Sequence, residues 1–138
     1  MIIGFNFTKI AVDKKGPVKG KVEIKRDLSI KDIKEETMQS KKPAIRVSFE
    51  FSVTYDPKIA SILMNGELFY LTDKAKSVAA EWKKSKKLDD EKITFDIVNV
   101  ILARCNIRSL QLSDELNLPP TIRLPKVKPK EESTYAAE

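Results

Sequence analysis

Residues 45–72 read IRVSFEFSVTYDPKIASILMNGELFYLT. Ile45, Val47, Phe49, Phe51, Val53 and Tyr55 alternate without a miss against Arg46, Ser48, Glu50, Ser52 and Thr54. A period of two over that length is the pattern of a strand with one dry and one wet face. Asp56, Pro57 and Lys58 follow as a turn: proline fixes its own φ, and the aspartate carboxylate can accept local backbone N–H groups. The chain therefore doubles back into an antiparallel partner, because three residues are too few for the crossover that a parallel pair needs.

The returning segment, Ile59 to Leu71, is apolar on both parities. Ile59, Leu63, Phe69 and Leu71 occupy one; Ala60, Ile62, Met64, Leu68 and Tyr70 occupy the other. Such a strand is covered on both faces or carries a bulge. Asn65-Gly66 sits where the parity changes. It reads either as a β-bulge that re-aims one long strand or as a hairpin turn that splits the segment. An exposed strand apolar on both faces invites aggregation, so a second subunit is expected to cover this strand or its neighbour.

Upstream, Ile2, Ile3, Phe5, Phe7, Ile10 and Val12 predict a strand whose parity slips once near Thr8 and Lys9. A basic turn, Lys14-Lys15-Gly16-Pro17, leads to a second strand. Val18, Gly20, Val22 and Ile24 alternate there, continuing less cleanly through Leu28 and Ile30, with lysines protecting an edge. Lys31 to Pro43 has no sustained period and reads as a crossover loop with one helical turn around Asp32 to Glu36.

Downstream the period changes to 3.6. Thr72 or Asp73 can cap a helix from Lys74 to about Lys86, with Ala75, Val78, Ala79 and Trp82 on a narrow apolar face. Asp89 or Asp90 can cap a longer helix, and Glu91 suits its positive end. Ile93, Ile97, Val100, Ile101, Arg104 and Arg108 trace one side of it. Phe95, Val98, Leu102, Cys105 and Leu112 trace another. Pro119 and Pro120 stop it. Thr121 to Lys126 reads as an extended clip and residues 127–138 as a disordered tail. The fold class is α+β: one domain over residues 1–126, a four-stranded antiparallel sheet with a short and a long C-terminal helix packed on one face.

At 138 residues the chain can bury a core without staples. Its single cysteine, Cys105, excludes an intrachain disulfide and reads as a buried small hydrophobe. There is no histidine, which removes the commonest general base and the commonest metal ligand. With no phosphate-binding glycine loop either, the pattern predicts no enzyme, no metal and no cofactor. No apolar run reaches the roughly 18 residues of a membrane span, and Met1 to Val12 lacks the pattern of a signal peptide, so a soluble, cytoplasmic protein is expected.

The order of parts resembles the SecB-like chaperone family. Gly66, Glu67, Leu68, Phe69 and Tyr70 resemble its Gly-containing turn leading into an aliphatic and Phe pair. Phe95 to Ile101 is similar to the start of its long helix. Leu118, Pro119, Pro120, Leu124 and Pro125 are similar to the segment after that helix. The resemblance covers most of residues 2–126. It implies a crossover between the second and third strands, and a homotetramer built as a dimer of dimers. It further implies an ATP-independent holdase for unfolded polypeptide clients, in some members associated with an antidote protein. Exposed apolar grooves would carry that activity, and the candidate client-binding residues are Phe69, Leu71, Leu112, Leu116 and Leu118. Each of these has a plainer role as a core or subunit-contact residue.

The formal net charge is +6, whereas bacterial members of the family are acidic, so their docking on the export motor is not carried over. The excess is uneven: residues 1–43 hold 11 basic against 6 acidic side chains, and residues 73–89 hold 6 against 3. A nucleic-acid-binding module is the rival reading, with Lys83, Lys84, Lys86 and Lys87 as its cluster. Against it, there is no interleaving of aromatics with lysine and no helix-turn-helix pattern. A structural or adaptor role is the third.

Overall fold

The computed structural model describes residues 1–125; the expected tail at 127–138 lies outside the described residues. Four strands, β1 (Ile2–Lys14), β2 (Glu23–Thr37), β3 (Pro43–Asp56) and β4 (Ala60–Leu71), form one antiparallel sheet in the order β1-β4-β3-β2. Two helices follow, α1 (Ala75–Ser85) and α2 (Glu91–Glu115). Their buried residues share one core with a single face of the sheet. This is the α+β architecture that the period analysis predicts.

Strands β3 and β4 form the centre. All six odd-numbered residues from Ile45 to Tyr55 are at most 1% exposed. On β4 the even residues Ile62, Met64, Leu68 and Tyr70 join them, and Leu63, Phe69 and Leu71 lie half-buried on the opposite, open face. Asn65 and Gly66 form no hairpin turn, since β4 runs unbroken through both, and they are not themselves bulged, since β4 pairs with β3 without a register shift. The bulge sits across from them in β1, between Phe7 and Lys9, which is where the parity of β1 slips. Gly66 has a different task. A Cβ there would come within 2.6 Å of both the Phe49 ring and the Asn6 carbonyl oxygen, so the glycine leaves room for the ring to lie across β4.

The second strand departs further from expectation. It begins at Glu23 and continues to Thr37, through the stretch read as a loop with a helical turn. A register shift between Ile30 and Asp32 resets the parity, so that Ile33 reaches the core at 1% exposure opposite Val47. Pairing then persists to Thr37 opposite Pro43. The β2–β3 connection is a tight turn, with Lys41 at φ 62° and its N–H donating to the Met38 carbonyl. The crossover expected there lies instead between β1 and β2, which occupy opposite edges of the sheet.

Helix boundaries follow their caps. The Thr72 hydroxyl accepts the Lys74 N–H at 3.1 Å ahead of α1, and the Asp90 carboxylate accepts the Ile93 N–H at 3.1 Å at the start of α2. That N–H, and then the Lys74 ammonium 3.2 Å away, hold the Asp90 carboxyl below its usual range. Its contribution is therefore present above the ordinary carboxylate pKa and is lost as pH falls through the depressed value. Asp90→Ala is expected to lower the thermal midpoint at neutral pH, with the gap to the native chain closing in acid. Asp90→Asn should keep most of the stability, because asparagine caps equally well. Equal midpoints for all three chains at neutral pH would show that this cap is not used.

The buried stripe of α2 runs Ile93, Ile97, Ile101, Cys105, Ser109 and Leu112. The buried row thus draws on both of the expected sides, in steps of four from Ile93 to Ser109 and of three from there to Leu112. Phe95, placed on the second side, is 62% exposed. The Tyr70 hydroxyl donates to Asp96 at 2.8 Å and ties α2 to β4. Burial and this bond push the phenol up to about 12, so it remains a donor.

Candidate functional site: an apolar groove along the edge strand

A helix about 10 Å across cannot cover four strands spaced about 4.8 Å apart. Here α1 packs on β2 and β3, while α2 leans over β4 and β1. On the β1 side the sheet is closed by Phe5, Phe7 and Phe49, whose rings contact one another, with the Arg104 guanidinium 4.7 Å from the Phe5 ring centroid. Along β2, where α1 has ended, no described residue fills the space beside α2 in a comparable way. The core-facing side chains Leu28 and Ile30 of β2, and Val98 and Leu102 of α2, are left half-buried.

The gap is a groove with two recesses. In the upper one, about 310 Å³, Ile30 and Ile33 face Ile97 and Val98, and the end wall is Trp82 and Leu88. The lower one, about 350 Å³, lies between Leu28 and Phe51 on the sheet and Leu102 and Asn106 on the helix, with Arg26 and Asp27 at the strand edge. Leu102 lies one helical turn beyond Val98, and Leu28 and Ile30 are two positions apart, on the same face of their strand. The recesses are therefore consecutive stations between antiparallel elements. Because β2 is an edge strand of the sheet, its outer backbone edge, unpaired among the described residues, runs beside them.

Polar groups are few. The Trp82 indole Nε1 is buried and has no hydrogen-bond partner among the described residues. The Lys86 ammonium stands 5.8 Å from the Trp82 ring centroid, and Lys86 and Lys87 form the rim of the upper recess. Lys86 itself closes α1 in the left-handed region at φ 58°, its N–H donating to the Trp82 carbonyl. Cys105 is fully buried, and burial pushes its thiol up to about 12, which leaves it an inert core side chain.

The five residues singled out from the sequence do not converge. Phe69 and Leu71 lie on the open face of the sheet, away from both helices. The Arg46 guanidinium is 5.9 Å from the Phe69 ring centroid while forming a two-pronged ion pair with Glu36 at 2.7 and 2.9 Å. Leu112 and Leu118 are each 6% exposed and belong to the core, and Leu116 packs half-buried against it. That end of α2 is held down by the segment after it: the Tyr55 hydroxyl donates to the Pro119 carbonyl at 2.7 Å, and Ser109 and Thr121 share a buried hydroxyl pair at 3.0 Å. Sequence reasoning took Leu28, Ile30, Trp82, Val98 and Leu102 as ordinary interior positions. The available clue was the narrow apolar face of α1, too small to complete the cover over the sheet. Among the described residues no helix is long and apolar enough to cross a membrane.

No protein-family model matches the chain, and no curated protein matches it. Among solved structures it is similar to a SecB-like chaperone of Mycobacterium tuberculosis, described in complex with a ChAD peptide from the HigA1 antitoxin. The identity is 11% and the TM-score 0.55, over 91% of this chain and 89% of the other. The likeness is one of fold: a SecB-like arrangement of a four-stranded antiparallel sheet followed by two helices.

Proposed function

We propose that the chain is an ATP-independent, chaperone-type protein that binds non-native polypeptide segments in the groove between β2 and α2. The observation that carries this reading is the groove itself, elongated, apolar and lined by the edge strand. An extended segment can place alternate side chains into the two recesses while its backbone runs along β2. The fold likeness to a chaperone described with a bound peptide supports the same reading. Binding of this kind needs no catalytic constellation, and Leu28, Ile30, Val98 and Leu102 are its contact residues.

Self-association belongs to the same proposal, as a homo-oligomer assembled as a dimer of dimers. Between Ile93 and Ile107 the only charged residues of α2 are Asp96 and Arg104. Phe95 and Ile107 on its outer side are 62% and 59% exposed. Large apolar side chains left exposed on a helix's outer side mark a surface that a second copy can cover. The open sheet face, with Leu63, Phe69 and Leu71, offers a second covered surface, and in this reading Phe69 and Leu71 contact a subunit or a client.

The test is suppression of aggregation of a chemically unfolded client without nucleotide. The native chain should protect at near-stoichiometric ratio and keep doing so in raised salt, because burial of apolar client surface is not screened. The double variant Leu28→Ser with Leu102→Ser should lose most of that protection while its unfolding remains cooperative. Full protection by the variant would remove the groove from the function. Tight RNA binding that collapses with salt, without any client protection, would replace the proposal by the nucleic-acid reading.

A further inference from the structure

Resting on the groove as a polypeptide site, we propose that its upper recess selects segments in which a bulky apolar side chain is followed closely by acidic residues. The recess at Ile33, Ile97 and Trp82 has room for one large aliphatic or aromatic side chain. Its rim is cationic. Lys86 and Lys87 line it, and Lys83 and Lys84 occupy the last turn of α1 just before it. Among the described residues none of these four ammonium groups lies within 4.0 Å of a carboxylate; the lysines that do are Lys25, Lys31, Lys34 and Lys74.

Helix electrostatics accounts for Lys83 and Lys84, since cations favour the negative end of a helix. It does not account for Lys86 and Lys87, which lie beyond that turn. Lys86 occupies the left-handed closing position that glycine takes at least cost, so the backbone would be served better by a residue with no charge. Its ammonium instead stands over the Trp82 ring at the mouth of the recess. An apolar pocket with cations on one side that no described carboxylate pairs is complementary to an apolar anchor with negative charge next to it. Charge at a rim of this kind sets specificity and encounter rate more than total affinity.

Trp82 is the only tryptophan in the chain, so its fluorescence reports occupancy of the recess directly. The experiment titrates the full chain with tryptophan-free peptides of about ten residues, long enough to span both recesses at ~3.3 Å per residue. Each peptide carries a leucine or phenylalanine anchor flanked by aspartate and glutamate, by serine, or by lysine. At low salt the acidic peptide should bind about five-fold more tightly than the neutral one, as two exposed ion pairs would give, and the lysine peptide more weakly still. The advantage should shrink in about 0.5 M salt. In the variant Lys86→Gly with Lys87→Ser the acidic and neutral peptides should bind alike, at the affinity the neutral peptide has for the native chain. Glycine suits φ 58°, so that variant should unfold no earlier than the native chain. Equal binding of acidic and neutral peptides by the native chain would overturn the charge selection and leave the groove reading intact. Failure of every peptide to perturb Trp82 or to compete with an unfolded client would overturn both. Displacement of the acidic peptide by a short single-stranded RNA of higher affinity would assign the lysines to phosphate instead.

Discussion

Phe49→Ala is expected to cost about 3–5 kcal/mol, a large share of the roughly 5–15 kcal/mol that holds a domain of this kind together. Phe49 is 1% exposed. Its ring lies across Gly66 and meets Phe5 at 5.3 Å and Phe7 at 6.4 Å between centroids, so its removal empties the point where β1, β3 and β4 are locked together. The complementary substitution, Gly66→Ala, fails for the opposite reason. The new methyl carbon would stand 2.6 Å from the ring and 2.6 Å from the Asn6 carbonyl oxygen, and β1 cannot withdraw without breaking its pairing with β4. The two changes share a contact and should not add. In a Phe49→Ala background Gly66→Ala should cost less than it does alone, yet more than zero, because the Asn6 oxygen remains. Urea unfolding of the four chains measures the cycle. Strict additivity would show that ring and glycine do not interact.

Most of this architecture was legible because the residues involved obey one period at a time. The alternation in Ile45 to Tyr55 leaves the backbone no other conformation, and the parity slip at Thr8 marks a bulge that is present in β1. Asp90 caps α2 as its position implies. The second strand was misread where two local devices lack their usual residues. The shift between Ile30 and Asp32 turns a strand bulge into an apparent loss of period. The turn at 38–42 contains neither glycine nor asparagine, and Lys41 takes the left-handed conformation instead. A polar stretch with no turn residue resembles a loop, although its backbone is paired with β3 from Asp32 to Thr37. The groove was hidden for another reason. Leu28 and Leu102 have the patterning of core residues, and their half-exposure depends on where α1 stops and which strands α2 lies over, which is decided by tertiary packing.

The same distinction separates two roles for the end of α2, and Leu112 decides between them. Leu112 is 6% exposed and lies in the buried row that begins at Ile93. The following segment is fastened over this end by the Tyr55–Pro119 bond, by the Ser109–Thr121 pair and by Lys14, whose ammonium donates to the Leu116 carbonyl at 2.6 Å. Leu112→Ala should therefore behave as a core truncation and cost about 2–5 kcal/mol, the larger value applying if the clamped segment cannot collapse into the vacated space. Leu116, half-buried and less enclosed, should tolerate the same change at a fraction of that cost. Thermal and urea unfolding of the two variants, with the client-protection assay run well below either midpoint, separates stability from binding. A folded Leu112→Ala chain should protect a client as well as the native one. Native-like stability combined with lost protection would instead place the end of α2 in the binding surface and open the clamp over residues 116–121 as part of function.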